Sequence, residues 1–184
     1  MKERKKVINF IIEVSVLSAL GLVLDLASGL LSGWLWPNGG SISLAMICIF
    51  IASYRHGLKG GLLTGFLVGT IQIIWAGGSY LIHPVQVLLD YPLPYMCVGL
   101  SGIFSKQVMT PNLKQLIFIS LSIFIGCFFR LVCHVLSGMF YWGVDFVGSL
   151  VYNGTFMLIG MIVCIIITSL LMRNKFFLKT VNEE

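Results

Sequence analysis

Apolar stretches of about 20 residues recur from one end of this chain to the other, and they restrict its fold more than any other feature. A helix of that length crosses the hydrocarbon core of a bilayer. Only 10% of the 184 residues are charged and 58% are hydrophobic, against about 25% charged in ordinary soluble domains. The sequence therefore reads as an all-α, polytopic membrane protein, one domain over residues 1–184. Its first apolar run begins at Val7, behind Lys2, Arg4, Lys5 and Lys6, and continues to Leu31. It lacks a clear small-residue cleavage site, so it reads as a membrane helix and not as a signal peptide.

The spacing predicts a bundle of six transmembrane helices: Val7–Leu31, Ser43–Tyr54, Leu58–Trp75, Pro84–Phe104, Leu113–Tyr141 and Phe146–Met172. The second is short for a full span. Basic residues then fall into alternate connections. Arg55 and Lys59 lie between the second and third helices, and Lys106 and Lys114 between the fourth and fifth. Arg173, Lys175 and Lys179 follow the sixth, and the other three loops contain no Lys or Arg. By the positive-inside rule both termini are cytoplasmic. The net charge of +5 implies contact with anionic lipid, not nucleic acid. No convincing repeat of two halves appears, which argues against a free-standing secondary transporter. The chain carries no G-x-x-x-x-G-K-[ST], G-x-S-x-G, H-E-x-x-H or C-x-x-C motif. It is thus read as a binding protein and not an enzyme, without cofactor or metal.

Gly57, Gly61, Gly65 and Gly69 repeat at every fourth position and form a groove on one helix face, suited to close packing of a neighbour inside the molecule or on another subunit. Ser15 and Ala19 make a shorter version on the first helix. The five cysteines are scattered in apolar runs and read as small buried residues.

Asp90 carries the most functional information. A carboxylate in a membrane segment is costly and marks a site by default. His83, Gln86 and Asp90 share one helix face. Counted at about 1.5 Å per residue, Asp90, His134 and Asn153 come from three helices to one level, roughly 10 Å below the outer surface. Tyr91 and Tyr152 reach the same level, and Trp34, Trp36, Tyr80 and Trp142 lie above it. A carboxylate under aromatic faces suits a cation. Each aromatic has a competing reading as an interface-belt residue, His134 as a packing residue, and Asn153 as a bond to a neighbouring helix. Arg130, deeper in its helix, is expected to pair with Asp25 and leave Asp90 to a ligand. Asp90 and His134 as an acid–base pair of a small membrane enzyme is the reading from another class.

The segments Pro37–Met46, Arg55–Gly57 and His83–Pro92 resemble the thiamine-specific substrate-binding subunit (ThiT type) of energy-coupling-factor transporters. So do Arg130, His134, Ser137 and Gly138, then Trp142, and then Tyr152-Asn153-Gly154. The resemblance implies a bacterial plasma-membrane subunit that captures thiamine from outside. Its partners would be a membrane coupling subunit and two ATPase subunits, with Ser15 and Ala19 as a docking face. By the same resemblance Asp90 contacts the ligand, Trp142 and His134 flank its rings, and Asn153 bonds the aminopyrimidine. Tyr80, Tyr91, Trp34 and Tyr152 complete the pocket. The chain departs from relatives in carrying Gly148 where many have Tyr, and Asp90 where some have Glu. Within the same class, a thiamine precursor such as a hydroxymethyl-pyrimidine, or riboflavin, is the alternative ligand.

Overall fold

The computed structural model describes residues 2–36, 38–74, 76 and 80–174. Pro37, Trp75 at the expected end of the third helix, and Lys175 and Lys179 of the tail lie outside the described residues. The described chain is all-helical: α1 (Lys2–Ser32), α2 (Ala45–Gln72), α3 (Pro84–Asp90), α4 (Pro92–Val98), α5 (Ser105–Met109), α6 (Gln115–Tyr141) and α7 (Phe146–Arg173). Tight 3-10 turns cover Gly33–Leu35 and Gly99–Phe104. Four helical stretches are long and apolar enough to cross a membrane: Glu3–Leu35, Pro84–Met109, Gln115–Tyr141 and Phe146–Arg173. Their outer faces expose valine, leucine, isoleucine and phenylalanine, as expected where lipid is the solvent.

α2 holds the second and third expected helices in one hydrogen-bonded run, interrupted at Gly57 (φ 66°, ψ −159°). That left-handed backbone is open to glycine and costly for other residues. The chain folds back there. A side chain placed on Gly21 would touch both Cys48 and Val68. Twenty residues of straight helix would separate those two by about 30 Å. The reversal is tied to α1 by Glu13, whose carboxylate takes both Arg55 Nε (2.5 Å) and Nη2 (2.6 Å) and contacts His56 Nε2 (2.9 Å).

The glycine ridge packs inside the molecule. A Cβ on Gly69 would fall 2.4 Å from the Tyr91 carbonyl oxygen, and one on Gly65 2.1 Å from that of Tyr95. One on Gly61 would fall 2.6 Å from Gly99 O, and one on Gly102 would fall 2.6 Å from the Gly57 carbonyl carbon. The second arm of α2 therefore lies antiparallel against residues 91–102 at backbone contact distance, the approach that small residues allow in lipid.

The fourth expected helix is not continuous. Tyr91 (φ −120°, ψ −80°) breaks it between α3 and α4. Pro92 has no N–H to donate and disfavours α-conformation in the residue before it. The break places Asp90 at a helix end instead of in mid-span. Near the same end, Asp145 caps α7 through Val147 N (3.2 Å) and Gly148 N (3.3 Å). The core gathers Phe50, Tyr54, Ile119, Ile123 and Met172, with Tyr54 Oη bonded to Ser122 Oγ at 2.7 Å. Cys48, Cys127, Cys133 and Cys164 are buried as small apolar residues, and Cys97 Sγ lies 3.9 Å from Cys133 Sγ.

Candidate functional site

A cavity of about 580 Å³ opens at the end of the bundle opposite the Gly57 reversal. Seven of the eight expected site residues line it: Tyr80, Asp90, Tyr91, His134, Trp142, Tyr152 and Asn153. They come from α3, the break after it, α6, α7 and their connections.

Asp90 is the best-organised group. Its Oδ2 accepts from Gln86 Nε2 (2.5 Å) and Trp142 Nε1 (3.2 Å), and its Oδ1 lies 3.5 Å from His134 Nδ1. Gln86 is itself held. It donates to the Tyr80 carbonyl (3.2 Å) and accepts from Ile82 N (3.2 Å), with no exposed surface. A carboxylate at a helix C-terminus is disfavoured by the helix dipole, so these donors compensate its position. None is a lysine or arginine, which leaves the negative charge available to a cation. His134 Nε2 is buried without a hydrogen-bond partner, and its ring meets Phe156 edge-on at 6.4 Å. Trp142 and Tyr80 stand 6.2 Å apart at the mouth. His83 does not turn inward with Gln86 and Asp90. It caps α3 by accepting from Val85 N, and its ring stacks on Tyr141 at 5.1 Å.

On α7, Asn153 Nδ2 donates to Ser149 O (2.9 Å) and lies 3.3 Å from Ser149 Oγ. Tyr152 Oη accepts from Gly40 N at 3.1 Å, tying α7 to the loop after α1. That loop runs close because Gly40 has no side chain. A Cβ there would fall 2.8 Å from Trp36 and 2.9 Å from Phe156. Gly148 sits under the Asp145 cap, where a Cβ would meet Oδ1 at 2.8 Å, so a larger residue at this position requires the Asp145 side chain to shift.

Two expectations meet different surroundings in the structure. Trp34 is not among the cavity residues. It lies in the 3-10 turn that ends α1, its N–H turned back to Leu31 O (2.9 Å) and 76% of its surface exposed. Trp36, which the sequence did not separate from it, donates to Thr155 Oγ1 (2.9 Å) and packs on Phe156, a cavity residue. Arg130 and Asp25 form no ion pair within 4 Å among the described residues. The arginine instead lies over the Tyr95 ring, 4.1 Å from its centre. Asp25 accepts from Ser43 Oγ and Gln72 Nε2, and from Tyr95 Oη at 3.4 Å. Both line the cavity, as do Gln72 and Tyr95, which the sequence reading did not assign. Their signal was present: Gln72 follows the last ridge glycine by three residues, and Tyr95 follows Tyr91 by four.

A membrane bundle enclosing a polar cavity, with a carboxylate under aromatic rings, defines a membrane protein built to hold a small polar molecule. Its family is shown by comparison with known proteins. The profile of the thiamine transporter protein family (Thia_YuaJ) matches residues 11–179, and the chain belongs to that family. It is 36% identical over 183 residues to the thiamine transporter ThiT of Bacillus subtilis (strain 168), covering 93% of each chain. It is 28% identical over 145 residues to thiamine transporter ThiT of Lacticaseibacillus paracasei, covering 71% of this chain and 72% of that one. It is also similar to the solved structure of ThiT from Listeria monocytogenes. The TM-score is 0.78 at 26% identity, covering 94% of this chain and 98% of that one.

Proposed function

We propose that this chain captures thiamine from the outer side of a bacterial cell membrane, as the substrate-binding subunit of an energy-coupling-factor importer. It is a binding subunit and not an enzyme, and ATP hydrolysis belongs to separate partners. The observation that carries the ligand is Asp90: a carboxylate held by neutral donors inside an aromatic cavity, in a member of the thiamine transporter family. The permanently charged thiazolium lies against Asp90. Trp142 and His134 face its rings, and Asn153 bonds the aminopyrimidine, with Tyr80, Tyr91 and Tyr152 enclosing them. Trp34 takes no part in this first contact.

The 184 residues form one unit with six membrane crossings, the two arms of α2 counting separately and α3 to α5 together. Both termini are cytoplasmic and the cavity opens outward. Supporting this are the basic residues near the Gly57 reversal and the basic-free loops around the cavity. A coupling subunit docks on the exposed Ser15 and Ala19 face of α1.

Titration of the purified, detergent-solubilised chain with thiamine, read by tryptophan fluorescence, tests the ligand. Saturable quenching by thiamine, with riboflavin and hydroxymethyl-pyrimidine competing poorly, supports the reading. A folded chain that prefers either competitor overturns it.

A further inference from the structure

Two charged groups in the cavity wall have no role in the reading above. Arg130 is only 5% exposed, and its Nε and Nη1 have no hydrogen-bond partner. The Tyr95 ring beneath it answers its charge. A guanidinium donates and never accepts, so what completes Arg130 must be an acceptor. Arg130 lies one helical turn inward of His134, about 6 Å along α6. Asp25 lines the same cavity and shares Tyr95 with Arg130, its carboxylate 3.4 Å from the Tyr95 hydroxyl. Ser43, Gln72 and Tyr95 donate to the Asp25 carboxylate. An arginine with two unpartnered nitrogens and a carboxylate thus share one cavity.

An alcohol is the small group that serves both, accepting from the guanidinium and donating to the carboxylate. We propose that Arg130 and Asp25 form a hydroxyl-reading subsite that sets the specificity of this cavity. A phosphate ester at the same place would satisfy Arg130 but bring its negative charge against Asp25, so the subsite selects the free alcohol. The inference rests on the thiamine reading, in which the hydroxyethyl arm supplies that alcohol. Asp90, outward of this subsite, is left to the ring cation.

Three ligands decide it: thiamine, its analogue with the hydroxyl replaced by hydrogen, and thiamine monophosphate. Each is titrated into the detergent-purified chain and into Arg130→Met, Arg130→Lys and Asp25→Asn. The chain should bind the deoxy analogue about tenfold more weakly than thiamine, the loss expected for a hydrogen bond to a charged partner. Arg130→Met and Asp25→Asn should each weaken thiamine while leaving the deoxy analogue unchanged. Asp25→Asn should also narrow the gap between thiamine and its monophosphate. Arg130→Lys, which keeps the charge and loses the fork, carries the same comparison if Arg130→Met elutes as aggregate. Equal weakening of thiamine and the deoxy analogue in these variants would overturn the subsite and leave the pair a structural role. A chain that binds thiamine and the deoxy analogue alike overturns only this inference. A folded chain that binds none of the three ends the thiamine reading and this subsite with it.

Discussion

The role proposed for Asp90 rests on its surroundings. Its oxygens are aimed by Gln86, Trp142 and His134, so a bound cation finds a carboxylate already oriented and requires little reorganisation. Asp90→Asn keeps the shape and removes the charge. It should weaken thiamine binding by about thirtyfold, or about 2 kcal/mol, measured by fluorescence titration or calorimetry. Trp142→Ala removes both a ring face and a donor to Asp90, and should weaken binding by roughly tenfold or more. Trp34→Ala, outside the cavity, should leave the affinity unchanged in the same assay. The difference between the two tryptophans was beyond the sequence, because both lie in polar loops beside apolar runs. Only the fold of the turn at Gly33–Leu35 sends the Trp34 indole away.

At the scale of elements, the glycine ridge and the proline break work together. Gly61, Gly65 and Gly69 bring α2 to backbone contact with residues 91–99, and Pro92 turns that segment so that Asp90 and Tyr91 face the cavity. Gly65→Ala would set a methyl 2.1 Å from the Tyr95 carbonyl oxygen. It should destabilise the chain by about 1–3 kcal/mol, seen as a lower unfolding temperature in detergent. Gly154→Ala, whose added methyl meets nothing within 4 Å, is the matched control and should leave that temperature unchanged. The ridge was legible as a fourfold spacing, since that spacing is a property of one helix. Its partner was not, because nothing in the local sequence says which segment crosses it. The break at Tyr91 had a visible cause in Pro92 and Pro94, yet the continuous hydropathy of Pro84–Phe104 masked it.

At the scale of the whole molecule, the surfaces proposed for ligand capture and for coupling are different. Ser15 and Ala19 are exposed on α1 and are absent from the cavity wall. Ser15→Leu combined with Ala19→Leu should leave thiamine binding by the isolated chain unchanged and abolish thiamine uptake by cells. If both activities survive, the docking face lies elsewhere. Orientation can be read separately. A cysteine introduced at Val144, beside the cavity mouth, should react with a membrane-impermeant maleimide in intact cells. One at Asn112 should react only after permeabilisation.

The sequence by itself determined that this chain is an α-helical membrane protein, because hydropathy and span length are local properties that no later packing can reverse. It also marked Asp90, His134 and Asn153, since polar groups in apolar runs stand out one residue at a time. The tertiary structure alone decided which of the charged residues answer one another. Arg130 and Asp25 are 105 positions apart, and helix rise placed them at one depth without fixing the faces they turn. Packing on Tyr95 holds the guanidinium over a ring, while Ser43 and Gln72 take the carboxylate. Side-chain direction depends on how each helix is rotated against its neighbours, and that rotation is set by contacts between distant segments.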